Sequence, residues 1–290
     1  MKGEDEGVFA WITTNYLLGK IDGGDETPTA AIFDLVRHKG SASAYELNFQ
    51  GKRFQLYQHS HLGYGLMSAR AALHRLVLDR SYKQNASLKS WLSRPVENPC
   101  IPPGNRVKIT VEMPSDHPLM GEHEVIMRGP VEADPAQCRT LTEAILNKDK
   151  PCSISPCSIN GVYQPSLEET LSEDVYLFSY FYDRTHKLGM PDSFTLNELH
   201  ELASKVCAGE RTWASAFGHV KGALQSLKEM PEWCLDLTFM ESLLHKGYEM
   251  PMSRRVKIAS QIRGNEIGWC LGASLTLLER GSGWQCRRVD

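Results

Sequence analysis

Glu6, followed by Gly7, offers this chain a carboxylate that could act as a base toward a bound water. Such a group within hydrogen-bond reach takes the water's proton as the water attacks. Glu6 closes an acidic opening of Glu4, Asp5 and Glu6, after which the chain turns apolar. The same acids also read as a helix start, because the exposed amides of a first turn favour negative charge. His59 and His61 stand two apart in a strand-like run and so point the same way. Two imidazoles can begin a metal site, but no third ligand is near in sequence, and they read as polar strand residues.

These groups need elements to hold them. Val8, Ile12 and Tyr16 recur every four residues, with Phe9, Trp11 and Leu17 beside them. That spacing predicts a helix over Glu4–Gly19 with one broad buried face, ended at Gly19 by a left-handed cap. Residues 20–28 are turn-rich. Ala30–Leu35 reads as a short buried strand reaching Asp34. Ala44–Phe49 and Arg53–His59 alternate around Gln50-Gly51, so a three-strand meander is expected over these segments. A helix is expected over 62–80, with Leu66, Leu73 and Val77 on one face and Arg70 off it. Val107 to Met113 alternates as a strand, 121–129 is its weaker partner, and Pro135–Asn147 reads as a helix. The aromatic run Val175–Tyr182 reads as a buried strand. Thr195 with Glu198 forms a capping box that opens a helix to Val206. Further helices are expected over Glu210–Lys228, Leu237–Lys246 and Glu266–Glu279. Gly268, Gly272 and Ala273 would let the last of these pack closely on a neighbour. Strands and helices intermix, so the class is α/β.

Composition narrows the setting. The 290 residues are 41% apolar and 23% charged, with a net charge of −3 and no long run of one sign. This gives no electrostatic footprint for nucleic acid. No stretch is long and apolar enough to span a bilayer, and the opening residues lack the form of a signal peptide. The eight cysteines are many for a reduced compartment. Cys152 and Cys157 flank a proline-containing loop that suits a short disulfide, while zinc would need a second close pair and histidines at ligand spacing. Asn85-Ala86-Ser87 is an acceptor triplet for glycosylation.

Longer motifs carry a resemblance. The opening EDEGVFAWITTNYLLG resembles the third signature of the nucleoside phosphatase family that includes the apyrases and the fungal Golgi guanosine diphosphatases. FQLYQHSHLGYGLMSARAAL, NPCIPPG, CSISPCSINGVYQPSL, FSYFYDRTHKLGMPDSFTLNEL and EWCLDLTFMESLLHKGY are similar to segments of the guanosine diphosphatase branch, and EIGWCLGASL resembles the fifth signature. The resemblance covers nearly the whole chain. It implies an α/β, actin-like pair of RNase H-like domains with the active site between them. Residues 1–263 would form mainly the second domain. Residues 264–290 would form the helix returning to the first. The first two signatures and the membrane anchor of the Golgi branch are not in this sequence, so the chain is expected to be truncated.

The resemblance also assigns roles. Glu6 would activate the attacking water. Asp34 and Trp269 would order the water shell of a divalent metal (calcium, magnesium or manganese), with Asp34 also facing the nucleotide. Tyr182 would stack on the base, with Tyr180 the next choice and core packing the alternative for both. The implied disulfides are Cys100–Cys138, Cys152–Cys157 and Cys207–Cys234, with Cys270 a buried free thiol and Cys286 free too. The implied activity is hydrolysis of a nucleoside diphosphate, GDP first and UDP second, in the Golgi lumen, supporting glycosylation. One departure is internal: Val36, Arg37, His38 and Lys39 stand where the fourth signature has its glycines and serine. Side chains there would spoil a loop of backbone amides aimed at phosphate. A non-catalytic remnant that binds nucleotide weakly is therefore the alternative expectation.

Overall fold

The computed structural model describes residues 3–21, 27–33, 43–85, 91–165, 167 and 174–278. The expected opening helix is α1 (Gly3–Leu17), with Val8, Trp11, Ile12 and Leu17 buried and Gly19 at φ +72°. A mixed sheet forms the centre. It comprises β1 (Ala31–Phe33), β7 (Val175–Leu177), β9 (Arg255–Ile258) and β8 (Ser193–Thr195), in that spatial order. β1, β7 and β9 are parallel to one another, and β8 runs antiparallel to β9.

The remaining strands form smaller sheets. β2 (Ser43–Phe49) and β3 (Lys52–Gln58) make a hairpin. Its turn residues Gln50 and Gly51 have φ of 52° and 76°, the doubly left-handed turn whose twist matches paired strands. β5 (Arg106–Met113) pairs antiparallel with β6 (Gly121–Arg128), and β4 (Val96–Glu97) adds parallel to β6. β10 (Gln261–Ile262) and β11 (Asn265–Glu266) form a final short hairpin.

Helices pack around this frame: α2 (Leu66–Asn85), α3 (Pro135–Ile145), α4 (Tyr180–Thr185), α5 (Leu196–Cys207), α6 (Glu210–Phe217), α7 (Ala223–Glu229), α8 (Trp233–Ser242) and α9 (Trp269–Leu277). The capping box is present: Thr195 Oγ1 accepts from the Glu198 amide, and Glu198 accepts from the Thr195 amide. Leu66, Leu73 and Val77 are buried on α2 as their spacing requires. Asn85 closes that helix with its side-chain amide on the Ser81 carbonyl, 2.9 Å away.

Four expectations need correction. The meander over 30–59 does not form: β1 pairs with β7, and β2 and β3 pair with each other. Alternation marks a strand but not its partner. The aromatic run is a strand only to Leu177. Ser179 then takes φ 58° and Tyr180–Thr185 is helical, so Tyr182 is a helix residue. A short apolar run does not by itself distinguish the two states. The helix expected over Glu210–Lys228 is broken by the Gly218–Gly222 turn, with Gly222 at φ +80°. α8 begins earlier than expected and passes into a π-helical turn at Leu243–Gly247.

The main core joins α2, α3 and α5–α8 to β5–β9. All three implied disulfides are present. Asp236, with no exposed side-chain surface, receives Arg70 Nε at 2.7 Å and Arg184 Nε at 2.7 Å. Arg184 also lies over the Trp233 ring, 4.9 Å from its centroid. Arg70, expected simply to leave the apolar face, thus ties α2 to α8 and α4.

Candidate active site

A cleft of about 790 Å³ opens beside the C-terminal ends of β1 and β7, where Phe33, Phe178 and Ser179 line it. That is the edge at which open α/β sheets bind ligands. Its volume falls within the range of small-molecule pockets. Glu6 and Gly7 border it from the first turns of α1, Gly65 from just before α2, and Gly268 and Trp269 from the start of α9. The N-termini of α2 and α9 therefore meet the side of α1 at one cavity, and each of these two ends carries free amide groups and a partial positive charge. Among the described lining residues Glu6 is the sole carboxylic side chain, and no lysine or arginine is present.

Two polar side chains inside α1 hold this arrangement. Thr13 Oγ1 donates to the Gly268 carbonyl at 2.7 Å and accepts from the Gly272 amide at 2.8 Å, fixing the start of α9 on α1. Gly272 is needed for that approach, because a Cβ there would overlap the Phe9 carbonyl. Asn15 does the same for the sheet. Its amide nitrogen donates to the Trp11 carbonyl at 3.0 Å and the Ala30 carbonyl at 3.2 Å, and its oxygen accepts from the Ala30 amide at 2.7 Å. Both residues are fully buried. One helix thus carries Glu6 and fixes both β1 and Trp269.

The opposite wall comes from the end of β3 and the segment after it and from Gln164, Pro165 and Leu167, which follow the loop closed by Cys152–Cys157. Tyr57 Oη donates to the Tyr163 carbonyl at 2.6 Å, and the Gln164 amide donates to the Pro156 carbonyl at 3.1 Å. Burial, reinforced by Tyr163, pushes the Tyr57 phenol up to about 12. His59 and His61 lie beyond the end of β3 with ring centroids 4.4 Å apart. Burial, then the neighbouring His59, pushes the His61 imidazole down to about 3. Burial alone lowers His59. Tyr248 packs beside them, 5.7 Å from the His61 ring and 4.9 Å from Phe33, and burial drives its phenol strongly upward. Thr13, Asn15, Gln164 and Tyr248 were not singled out by sequence. The polar Thr-Thr-Asn run inside an otherwise apolar helix was the available signal for the first two.

The sequence candidates separate. Glu6 and Trp269 line the same cleft. Trp269 is 40% exposed and is not a core residue. Tyr182 sits on α4 with its ring stacked on His186 at 4.6 Å, and it is not among the described lining residues. Cys270, expected to be buried, is an exposed free thiol. Asp34, the altered fourth signature and Cys286 lie outside the described residues. No group of three or more His, Cys, Asp or Glu among the described residues could hold a metal. One carboxylate is too few to cage a hard divalent ion directly. The donor set suits only an ion held through its waters.

The chain matches the profile of the GDA1/CD39 (nucleoside phosphatase) family over residues 1–287. It is 55% identical over 311 residues to a probable guanosine-diphosphatase of Aspergillus fumigatus, covering 99% of this chain and 62% of that relative. It is 44% identical to the guanosine-diphosphatase of Saccharomyces cerevisiae, covering 99% of this chain and 59% of that relative. The chain therefore spans about three fifths of the length of these relatives. Its fold is similar to that of a crystal structure of nucleoside triphosphate hydrolases from Neospora caninum, with a TM-score of 0.53, 13% identity and coverage of 95% of this chain and 63% of that one. On the match along nearly its whole length, this chain belongs to the GDA1/CD39 (nucleoside phosphatase) family.

Proposed function

We propose that this chain carries the base and the nucleotide-binding wall for hydrolysis of a nucleoside diphosphate to a monophosphate and phosphate, with GDP the first substrate to test. The observation that carries this reading is the cleft bordered by Glu6 on α1 and by the N-termini of α2 and α9. Glu6 takes the proton of a water attacking the terminal phosphorus as the bond to the bridging oxygen breaks. The helix ends supply fixed positive charge where the phosphates sit, in a wall that has no described cationic side chain. A divalent ion held at the diphosphate through waters would supply charge neutralisation there. Trp269, whose indole nitrogen can only donate, and Asp34 are the proposed anchors of its waters. Tyr182 is proposed to meet the base by leaving His186, while Tyr248 already lies in the cleft wall.

Three disulfides support a secretory, Golgi-type lumen as the setting. No helix among the described residues is long and apolar enough to cross a membrane. The test is phosphate release from GDP with calcium, magnesium or manganese, comparing the chain with Glu6→Gln. Metal-dependent release that Glu6→Gln abolishes supports the reading. An unchanged Glu6→Gln rate overturns Glu6 as the base. No release from either protein favours the non-catalytic reading, for which Val36–Lys39 in the fourth signature is the specific motive.

A further inference from the structure

We propose that Gln164 and His61 read the base of the bound nucleotide and select guanine through its adjacent N1–H and N2–H donors. Gln164 is 6% exposed, lines the cleft, and has a buried amide oxygen without a hydrogen-bond partner. An amide oxygen can only accept, so its missing partner must be an N–H or O–H. Buried polar groups are rarely left unpaired in folded proteins, and an orphan in a cleft wall points to a ligand. His61 Nε2 is a second buried atom without a partner of good geometry, and it faces the Gln164 side chain, whose hydrogen-bonding influence raises the His61 pKa against the larger downward effects of burial and His59. The imidazole is neutral at ordinary pH and keeps one lone pair, so it can serve as an acceptor beside Gln164. Tyr248 and Phe33 stand at the same wall and offer an aromatic face for a flat base.

Two neighbouring acceptors discriminate between bases. Guanine presents two adjacent donors on its pairing edge. Adenine presents one donor beside a lone pair, and uracil presents one N–H between two carbonyls. Either of these sets a lone pair against one of the two acceptors. A site built to hydrogen-bond a donor rejects an analogue that lacks it far more strongly than an apolar pocket rejects a change of size.

This inference rests on reading the cleft as a nucleotide site, so the test measures binding without chemistry. GMP, IMP and UMP are titrated into the chain by calorimetry. IMP is GMP without the 2-amino group, so the native protein is tested without any substitution. GMP is expected to bind about tenfold or more tighter than IMP and UMP. In Gln164→Met, which is close in shape but lacks the acceptor, GMP should fall to the IMP level while UMP is unchanged. His61→Phe should narrow the same gap. Equal binding of the three nucleotides by the native chain overturns the proposal. So does binding of none, or a Gln164→Met protein that loses all three alike. Selective GMP binding without hydrolysis sinks only the proposed hydrolase reading. Equal hydrolysis of GDP, IDP and UDP sinks only the base-reading pair.

Discussion

The helical half of the molecule and the cleft wall treat buried polar groups in opposite ways. In the helical half, Asp236 is enclosed by Arg70 and Arg184, Thr142 and Ser242 share a hydrogen bond of 2.7 Å, Cys100–Cys138 ties the turn after β4 to α3, and Cys207–Cys234 joins α5 to α8. At the cleft, His59, His61 and Gln164 keep buried polar atoms without hydrogen-bond partners, and Ser179 holds a positive φ; in the helical half Arg139 Nε and Glu241 Oε2 do so too, but within an ion-paired cluster with His200. Strain and unpaired groups of this kind persist where a rigid surround imposes them, and they cluster at functional sites. Stability is concentrated where the polar groups are paired, and recognition where they are not.

Damage at the cleft should then change rates and affinities, and damage in the helical half should change stability. The largest effect is expected at Glu6. Glu6→Gln should lower kcat for GDP by about 10²- to 10⁴-fold with little change in thermal midpoint. A matching loss of fold, seen by circular dichroism, would erase the contrast. Next is Asp236→Ala, which strands Arg70 and Arg184. It should cost roughly 3–5 kcal/mol in urea unfolding. Nucleotide affinity of the remaining folded fraction should be unchanged.

Disulfide removal gives a graded comparison. Replacing Cys207 and Cys234 by serine opens a loop with a sequence separation of 27 and should cost about 3–4 kcal/mol. The same change at Cys152 and Cys157, separated by 5, should cost only about 2 kcal/mol. It should instead weaken nucleotide binding, because the Pro156 carbonyl of that loop holds the Gln164 amide. Equal stability losses at the two sites would break the division between the halves. A smaller effect is expected at Thr13, whose hydroxyl bridges α1 to Gly268 and Gly272. Thr13→Val should cost about 1–3 kcal/mol and alter the fluorescence of Trp269.

The last prediction concerns acid. His61 has its folded pKa pushed down to about 3 from an ordinary 6.5. Below pH 6.5 the unfolded imidazole takes up a proton that the folded one refuses, so stability falls as the pH drops toward 3 and is unaffected above 6.5. His61→Phe should flatten the unfolding free energy against pH in that window, by up to about 1.4 kcal/mol per pH unit. A slope identical to that of the native chain would mean that partial burial does not hold the His61 imidazole neutral.

Much of this was legible in the residues. The four-residue recurrence in α1, the alternation in β5 and the Thr195–Glu198 box are local signals, and each specified its element. The motifs that gave the family also paired the cysteines. Ser179 shows where reading stopped. Nothing in FSYFY announces that the chain turns there through a positive φ, so a strand was expected through Tyr182 and a helix formed. The same turn took Tyr182 to a helix where it stacks on His186, away from the described cleft lining.

By itself, then, the sequence determined most of the elements and the carboxylate at the start of α1, because period, capping and composition act over a few residues, and it gave the disulfide set through the family's motifs. Only the tertiary structure decided that β1 would pair with β7, that Arg70 would meet Asp236, and that Gln164 would share a wall with His61 and Tyr248. Those contacts join residues far apart in the chain, and whether a buried polar group finds a partner depends on neighbours that no local pattern specifies.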